Sequence, residues 1–328
     1  MKLRLWPVLA DIRAVRPSQR RPKGVLLPKR SIALIIVVFT LAALPAAASA
    51  SQMIDRNAKA VRLAVNAKGT ALLTYRARGK TQRVLAWGAV NARVPTRGAR
   101  QVAFRIDYSG GWGSQRRLVW KSFRNVCGPY TGPDLQYLVA ACTTPDGSHW
   151  AIQKWQRMLP PYGIRPNKVE SAVELHLSHW AGELPEFVVK QDWVYRRFDH
   201  LYGWLRYKGQ GVYGFKNTKW GSPLDSWGRN VFVDTYNSAY GRGWKRENAF
   251  LTHTGSGAFC YGFYPHTWQG RSYPTGHGQV YRATVMGPGV TPILFWSEPA
   301  LPTFDASLEQ TANAEQAQLF TGSKCRAK

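Results

Sequence analysis

Val173–Trp180 reads VELHLSHW and alternates cleanly between two sets of side chains. The valine, both leucines and the second histidine fall on one face of an extended chain, and the other four residues fall on the opposite face. A period of two residues is the pattern of a β-strand. The stretch therefore predicts a strand. It also places His176 and His179 on opposite faces, so the two histidines are not expected to share a metal ion.

Similar short runs continue this pattern on both sides and predict further strands. They are Val61–Val65, Ala71–Arg76, Arg83–Val90, Gln101–Tyr108, Leu138–Thr143, His149–Trp155 and Phe187–Tyr195. Glycine-bearing connections at Asn66–Gly69, Ala77–Lys80 and Pro145–Gly147 predict hairpin turns between them. Many short strands with frequent turn signals are typical of a β-sandwich or a barrel.

A helical pattern is found in the C-terminal region. Asp305–Phe320 is rich in Ala, Gln and Glu, its apolar residues follow a helical spacing, and Ser307–Gln310 fits a capping box. We expect this helix to pack against the body of the protein. The predicted fold class is therefore mostly β, with two antiparallel β-sandwich-like units and a short C-terminal helix.

The N-terminal region has the pattern of an export signal. An apolar run from Ile32 to Leu44 follows a basic segment and ends in Pro45 and AAASA, with Ala48 and Ala50 in an A-x-A cleavage motif. We predict cleavage after Ala50 and a secreted or cell-surface protein. The alternative is an uncleaved anchor, because an apolar stretch of about 20 residues can span a membrane. The predicted domains are the leader (1–50), an N-terminal β domain (51–195), a second β-sandwich (196–300) and a helical tail (301–328).

The chain after Ala50 is strongly basic. Removal of the leader takes nine of the 45 basic and one of the 18 acidic residues, which leaves 36 against 17 and a net charge of +19. Such a charge can simply keep an extracellular protein soluble. It can also attract polyanions such as anionic wall polymers, lipid headgroups or nucleic acid.

All four cysteines lie after the predicted cleavage site, where an oxidising compartment would allow disulfides. Four cysteines allow three pairings. We predict a local bond between Cys127 and Cys142 and a second bond between Cys260 and Cys325 that ties the tail to the body. No C-x-x-C spacing occurs and a zinc site needs a tighter grouping of ligands, so we expect no metal and no cofactor.

Tryptophan is the unusual residue type, with 14 in the chain. Five of them lie beside glycine in loop-like sequence: Trp112, Trp220, Trp227, Trp244 and Trp268. A tryptophan presented from a turn offers a flat apolar face on which a sugar ring can stack. Neighbouring basic residues such as Arg242, Lys245 and Arg246 would bind carboxylate or phosphate substituents. The alternative is that these tryptophans plug the ends of the sandwiches.

The segment Ser226–Tyr240, SWGRNVFVDTYNSAY, has the most site-like composition. Val231–Val233 predicts a strand, and the polar residues after it predict a loop that mixes carboxylate, amide, hydroxyl and aromatic groups. The same residues would also form a hydrogen-bonded Asx-type loop with a structural role. The predicted ligand-binding residues are Trp220, Trp227, Arg229, Asp234, Tyr236, Asn237, Tyr240, Trp244 and Trp268.

Three motifs in the second half carry a family resemblance. Tyr202–Gly214 (YGWLRYKGQGVYG) looks like an opening strand and turn, Thr254–Tyr261 (TGSGAFCY) like a later strand, and Gly278–Val285 (GQVYRATV) like a closing strand. On these motifs, residues 198–290 resemble a carboxypeptidase-regulatory-like, or transthyretin-like, domain. The resemblance implies a seven-stranded module that serves as a spacer or binding domain, and it implies no catalytic residues.

Enzyme motifs are weak in this sequence. No G-x-S-x-G, H-E-x-x-H, Walker or dinucleotide motif occurs, and Cys260 does not follow the His-Gly-Cys order of L,D-transpeptidases. His253, His266 and His277 could meet at one end of the second sandwich, near Asp234, for zinc binding or acid–base work. A glycosidase would need two nearby carboxylates. The candidates are Glu174, Glu183, Asp192, Asp225 and Asp234.

We therefore expect a secreted or cell-envelope protein that is not an enzyme. Its expected partner is an extracellular polysaccharide or an anionic cell-wall polymer, bound by a monomer. No nucleic-acid module is recognisable, and membrane contact is expected only through an uncleaved leader. One alternative is a secreted hydrolase of wall glycan or peptide with its site near Asp234, His253 and His277. The other is a purely structural surface protein.

Overall fold

The computed structural model describes residues 51–94, 101–160, 162, 171–212, 231–250, 252, 256–268 and 270–320. The predicted leader and the predicted functional residues Trp220, Trp227, Arg229, His253 and Cys325 lie outside this part of the chain.

Strands dominate the described residues. They are β1 (Gln52–Arg56), β2 (Lys59–Val65), β3 (Ala71–Ala77), β4 (Lys80–Trp87), β5 (Arg105–Asp107), β6 (Leu138–Thr143), β7 (His149–Trp155), β8 (Glu174–Trp180), β9 (Glu186–Val194), β10 (Phe198–Tyr207), β11 (Gln210–Gly211), β12 (Val231–Ser238), β13 (Gly241–Phe250), β14 (Ala258–Gly262), β15 (His266–Trp268), β16 (Arg271–Tyr273), β17 (Val280–Val285) and β18 (Leu294–Pro299). The helices are the single turn α1 (Trp112–Gln115), a 3₁₀ turn (Val119–Ser122) and α2 (Ala306–Leu319). The mostly-β prediction is confirmed.

The first sandwich is built from two antiparallel sheets. Sheet A has the strand order β1-β8-β7-β6, and sheet B has the order β2-β3-β4-β5. Their facing sides share a core that includes Leu73, Val84, Trp150, Ile152 and Leu175. The three predicted hairpin turns join β2 to β3, β3 to β4 and β6 to β7, as the antiparallel pairings show. Alternating apolar residues on facing sheets are how a sandwich forms its core.

The second sandwich has the same construction. Sheet C has the strand order β13-β12-β17-β18, and in sheet D strand β10 pairs with β9, β14 and β11. The core between them includes Leu201, Leu205, Val231, Val233 and Ala283. Strand β9 pairs with β10 along its whole length, from Val194 opposite Phe198 to Glu186 opposite Arg206. The predicted domain boundary at 195/196 therefore falls in the turn between two paired strands.

Segments of the two sandwiches interleave. Trp155, at the end of β7, is buried in the second core, whereas Val290, between β17 and β18, is buried in the first. Gln153 is fully buried and binds both backbone groups of Ile293: its Nε2 donates to the carbonyl oxygen (3.0 Å) and its Oε1 accepts from the N–H (2.9 Å). The chain that follows β7 then contacts sheet C at β13, where the Arg246 N–H donates to the Pro160 carbonyl oxygen at 3.2 Å and the Tyr162 N–H donates to the Arg246 carbonyl oxygen at 2.9 Å.

Helix α2 begins at Asp305, whose carboxylate accepts the N–H groups of Ser307 and Leu308. The prediction of a helix is confirmed, but the N-cap is Asp305 and not Ser307. The helix packs on sheet D through Ala312, which is buried with Tyr202 and Ala258, and through Glu315, which accepts from Lys190 (2.6 Å) and from the Tyr202 hydroxyl (2.7 Å). No helix of the described residues is long and apolar enough to cross a membrane.

The predicted disulfide between Cys127 and Cys142 is present, with a Cα–Cα distance of 5.6 Å. It ties the long segment before β6 to the edge of sheet A. The predicted bond between Cys260 and Cys325 stays a prediction, because Cys325 lies outside the described residues. No described cysteine is a free thiol.

Candidate binding cleft

A cleft of about 550 Å³ lies where the chain that follows β7 crosses the outer face of sheet C. Its volume falls in the range of about 300–1,000 Å³ that is usual for ligand sites. The lining residues are Tyr137, Trp155, Gln156, Leu159, Pro160, Trp244, Lys245 and Arg282. Three of these are aromatic and two are basic. We call this feature the Trp244 cleft.

Sheet register places Trp244 on the outer face. Trp244 in β13 is opposite Tyr236 in β12, and the two rings lie 5.3 Å apart. On the adjoining strand β17, the Arg282 guanidinium carbon lies 4.3 Å from the centre of the Trp244 ring. Trp244 is half-buried and lines the cleft. The prediction of a loop position is wrong for Trp244, because the residue sits within a long antiparallel hairpin.

A buried ion cluster lies beneath the cleft. Asp234 is fully buried, and its carboxylate is opposite Arg246 on β13 and Arg282 on β17. Arg246 Nε donates to Asp234 Oδ1, and Arg282 Nη2 donates to Asp234 Oδ2 at 2.7 Å. One carboxylate therefore serves two guanidinium groups. The cluster carries a net positive charge in a poorly solvated place, which favours an anionic group in the cleft above it.

Tyr137 joins the cleft wall to this cluster. Its hydroxyl accepts from Arg282 Nη1 at 3.0 Å, and its ring packs on Phe295 with the centres 4.7 Å apart. The backbone of Tyr137 has a φ of 57°, in the left-handed region that costs a bulky residue about 1–2 kcal/mol. The Lys154 N–H also donates to the Tyr137 carbonyl oxygen at 2.9 Å. The contacts of its hydroxyl, ring and carbonyl group hold the residue in this conformation.

The structure separates the predicted site residues. Trp244 lines the cleft, and Tyr236 lies against it. Asp234 lies beneath the cleft, where it is ion-paired with Arg246 and Arg282 and has a structural role. Asn237 lies at an irregularity near the end of β12, where its side chain accepts from the Gly243 N–H at 2.8 Å and donates to Gln279 at 3.0 Å. The predicted polar loop after Val233 is also wrong, since β12 continues to Ser238. Trp268 lies in β15, and its side chain is outside the description.

Tyr240 belongs to a different group, centred on the buried carboxyl of Glu247. A bulge in β13, between the pairs of Val233 and Asp234, leaves Glu247 without a partner residue on β12. The Tyr261 hydroxyl donates to Glu247 Oε1 at 2.8 Å, and the Tyr240 hydroxyl lies 3.4 Å away. Oε2 has no hydrogen-bond partner among the described residues.

Burial raises the pKa of Glu247 to about 7, against the opposing effect of the Tyr261 and Tyr240 hydrogen bonds. The backbone packs against this carboxyl at Gly276, where a Cβ atom would lie 2.4 Å from Oε2 and would displace the carboxyl. Glu247 is therefore enclosed and does not line the Trp244 cleft.

Elsewhere in the described chain, histidine–aspartate pairs occur at two places. His277 Nδ1 lies 2.5 Å from Asp199 Oδ2, which also accepts from the Tyr281 hydroxyl. His200 Nδ1 lies 2.6 Å from Asp192, beneath helix α2. Asp234 and His277, which the hydrolase hypothesis groups together, thus have separate partners. Among the described residues, no group of three or more His, Cys, Asp or Glu side chains could hold a metal ion.

Several cleft residues could not be identified from the sequence. Tyr137, Trp155 and Gln156 come from the first half of the chain. Aromatic and polar residues are common at the ends of strands, so their types give no sign of a binding role. Arg282 lies in the predicted closing strand Gly278–Val285, and nothing in that motif marks it as a binding residue. Arg282 follows Asp234 by 48 residues in the sequence. The pairing of β12 with β17 brings their charged side chains together.

Comparison with protein-family models, with curated proteins and with solved structures finds no match. The resemblance of residues 198–290 to a transthyretin-like domain therefore stays a prediction.

Proposed function

We propose that this protein binds an extracellular or cell-wall polysaccharide without catalysis, and that the Trp244 cleft is its binding site. The observation that carries the proposal is the half-buried Trp244 side chain, which lies against Arg282 and lines a cleft of ligand size together with Lys245. A sugar ring would stack on the indole face, and a carboxylate or phosphate substituent would be drawn to the basic side chains.

The chemistry of the lining favours binding over hydrolysis. A glycosidase or peptidase needs a carboxylate, a histidine or another activated group at the reacting atoms. The described lining contains aromatic, amide, aliphatic and basic side chains, and neither a carboxylate nor a histidine. The Asp234 carboxylate beneath the cleft is ion-paired with Arg246 and Arg282.

A secreted hydrolase is the second candidate, and one observation favours it. Glu247 is a buried carboxyl whose pKa is raised to about 7, the range in which a general acid works. Its site would lie at the end of the second sandwich, near Tyr240 and Tyr261, and would need an opening that gives a substrate access to Oε2.

Export is part of the proposal. The disulfide between Cys127 and Cys142 is compatible with an oxidising compartment outside the cytosol, as is the signal-like sequence that precedes residue 51. A wall polymer would be accessible to the protein there.

Co-sedimentation with isolated cell wall and with neutral polysaccharides, at low and high salt, tests this function. Retention of the wild type on a neutral polysaccharide at high salt, and its loss in Trp244→Ala, is the expected result, because stacking is insensitive to ionic strength. Trp112→Ala, an exposed tryptophan outside the cleft, is the matched control. Equal retention of Trp244→Ala would contradict the proposal, and release of soluble fragments would favour the hydrolase.

A further inference from the structure

Positive charge is concentrated in one part of the chain. Residues 51–133 contain 16 basic and 2 acidic residues, whereas residues 134–328 contain 20 basic and 15 acidic residues. Both acidic residues of the first segment are engaged internally. Asp55 accepts from both terminal nitrogens of Arg78, at 2.6 and 2.8 Å, and Asp107 is buried. The described part of this segment, which contains all of sheet B, therefore presents a strongly basic surface.

A closed loop projects from this surface after β5. The Val119 N–H donates to the Gly110 carbonyl oxygen at 3.1 Å, which brings the two ends of the loop together. Gly111 has a φ of 111°, and a Cβ atom there would lie 2.4 Å from Val119. Compact loops with adjoining ends are frequently functional. We call residues 110–119 the basic loop.

Asp107, which precedes the loop, tethers it through Ser109 and Ser114. Ser114 donates its N–H to Asp107 Oδ2 at 2.9 Å, and the Ser109 N–H donates to Oδ1 at 2.7 Å. Burial alone would raise the pKa of Asp107, but these bonds and those of the two hydroxyls lower it to about 2. Val119, at the end of the loop, is buried against Leu72 and Leu85 of sheet B and anchors the loop to that sheet.

The tip carries both apolar and cationic side chains. Residues 112–118, WGSQRRL, are all exposed, with Trp112 57% and Leu118 39% accessible. Arg116 and Arg117 lie between them in the sequence. The exposed cations that flank the tip are Arg105, Lys121 and Arg124. Among the residues that the structure describes, no carboxylate lies within ion-pair distance of these five cations.

We propose that the basic loop docks the protein on the surface of an anionic phospholipid membrane. Trp112 and Leu118 would enter the interfacial region of the bilayer, and Arg116 and Arg117 would contact lipid phosphates. Tryptophan and basic residues favour this region because it offers apolar contact and negative charge together. A dissolved polyanion would engage the arginines but leave both apolar side chains in water. This contact is independent of the leader and of the Trp244 cleft.

Vesicle binding of the protein in its exported form tests this proposal. We expect binding to phosphatidylcholine vesicles that contain phosphatidylglycerol and at least tenfold weaker binding to phosphatidylcholine alone. The double variants Trp112→Ala/Leu118→Ser and Arg116→Glu/Arg117→Glu should each weaken binding to the anionic vesicles at least tenfold. Trp244→Ala is the matched control and should bind the vesicles as the wild type does.

Other outcomes would overturn the proposal. If only the arginine variant lost binding, and long-chain polyphosphate in solution competed with the vesicles, the loop would be a site for soluble polyanions. Wild-type binding that did not depend on phosphatidylglycerol, or was unchanged in both variants, would also exclude it. Circular dichroism of the variants, whose changed side chains are exposed, checks that the fold is intact.

Discussion

The guanidinium carbon of Arg282 lies 4.3 Å from the centre of the Trp244 ring, and the same guanidinium donates to Asp234 and to the Tyr137 hydroxyl. Arg282 thereby links the buried ion cluster to the exposed aromatic face. Because Asp234 and Tyr137 fix the guanidinium, the indole ring rests on a rigid support before any ligand arrives. A preorganised aromatic surface loses little entropy on binding.

We predict that Asp234→Asn strongly destabilises the protein. The change leaves Arg246 and Arg282 buried without a counter-ion, and the removal of one partner from a buried pair costs about 3–5 kcal/mol. The free energy of unfolding in urea measures this effect. The exposed Glu298→Gln is the control and should change stability by less than about 0.5 kcal/mol. Equal stability of the two variants would mean that the cluster contributes little.

Glu247 should make stability fall as the pH rises. Its pKa is about 7 in the folded protein and near the ordinary 4.5 when unfolded, so between these values the unfolded chain ionises first. The loss of stability from ionising the buried Glu247 carboxyl is absent below pH 4.5 and complete above pH 7. Glu247→Gln removes the ionisation.

We therefore expect the free energy of unfolding of Glu247→Gln, relative to that of the wild type, to increase by up to about 3 kcal/mol as the pH rises from acidic to mildly alkaline. Thermal or urea unfolding across this pH range measures the difference. A stability difference that stays constant with pH would show that Glu247 ionises normally in the folded state.

The disulfide between Cys127 and Cys142 should stabilise the first sandwich. It closes a loop with a sequence separation of 15 residues, for which chain entropy gives about 3 kcal/mol. The free energy of unfolding of the Cys127→Ser/Cys142→Ser variant should be lower than that of the wild type by this amount. The variant has no Cys127–Cys142 bond for a reducing agent to break. Unfolding curves that coincide with the wild type would contradict the prediction.

Lys245 should separate anionic from neutral ligands. It is half-buried and contributes to the lining of the Trp244 cleft on the edge strand β13, next to Trp244. We expect Lys245→Gln to weaken binding of a phosphate- or carboxylate-bearing wall polymer severalfold and to leave a neutral polysaccharide unaffected. Binding isotherms for the two polymers provide the measurement. An equal loss for both would indicate a packing role for Lys245.

Local patterns predicted much of the fold. The bounds of β6 and β7 match the predicted strands, because their apolar residues and the Asp146-Gly147 turn lie within one hairpin. The strand after Val233 was missed because Asp234 and Asn237 are polar. In the structure, pairing with β17 and with two arginines offsets the cost of burying Asp234.

The candidate site was predicted only in part. Trp244 and its basic neighbours were recognisable from composition, although their strand position was not. Tyr137 and Trp155 reach the cleft because the first sandwich sends a segment across sheet C, and no local pattern contains that information. Sequence spacing also grouped His277 with Asp234, whereas the fold pairs His277 with Asp199.

Isothermal titration of the purified wild type and Trp244→Ala with an oligosaccharide derived from the retained wall polymer tests the central claim most directly. We predict at least tenfold weaker binding by the variant, equivalent to about 1.4 kcal/mol or more, with an unchanged unfolding transition. Trp112→Ala should bind the oligosaccharide like the wild type. Equal affinity of Trp244→Ala and wild type would contradict the assignment of this cleft as the polysaccharide site.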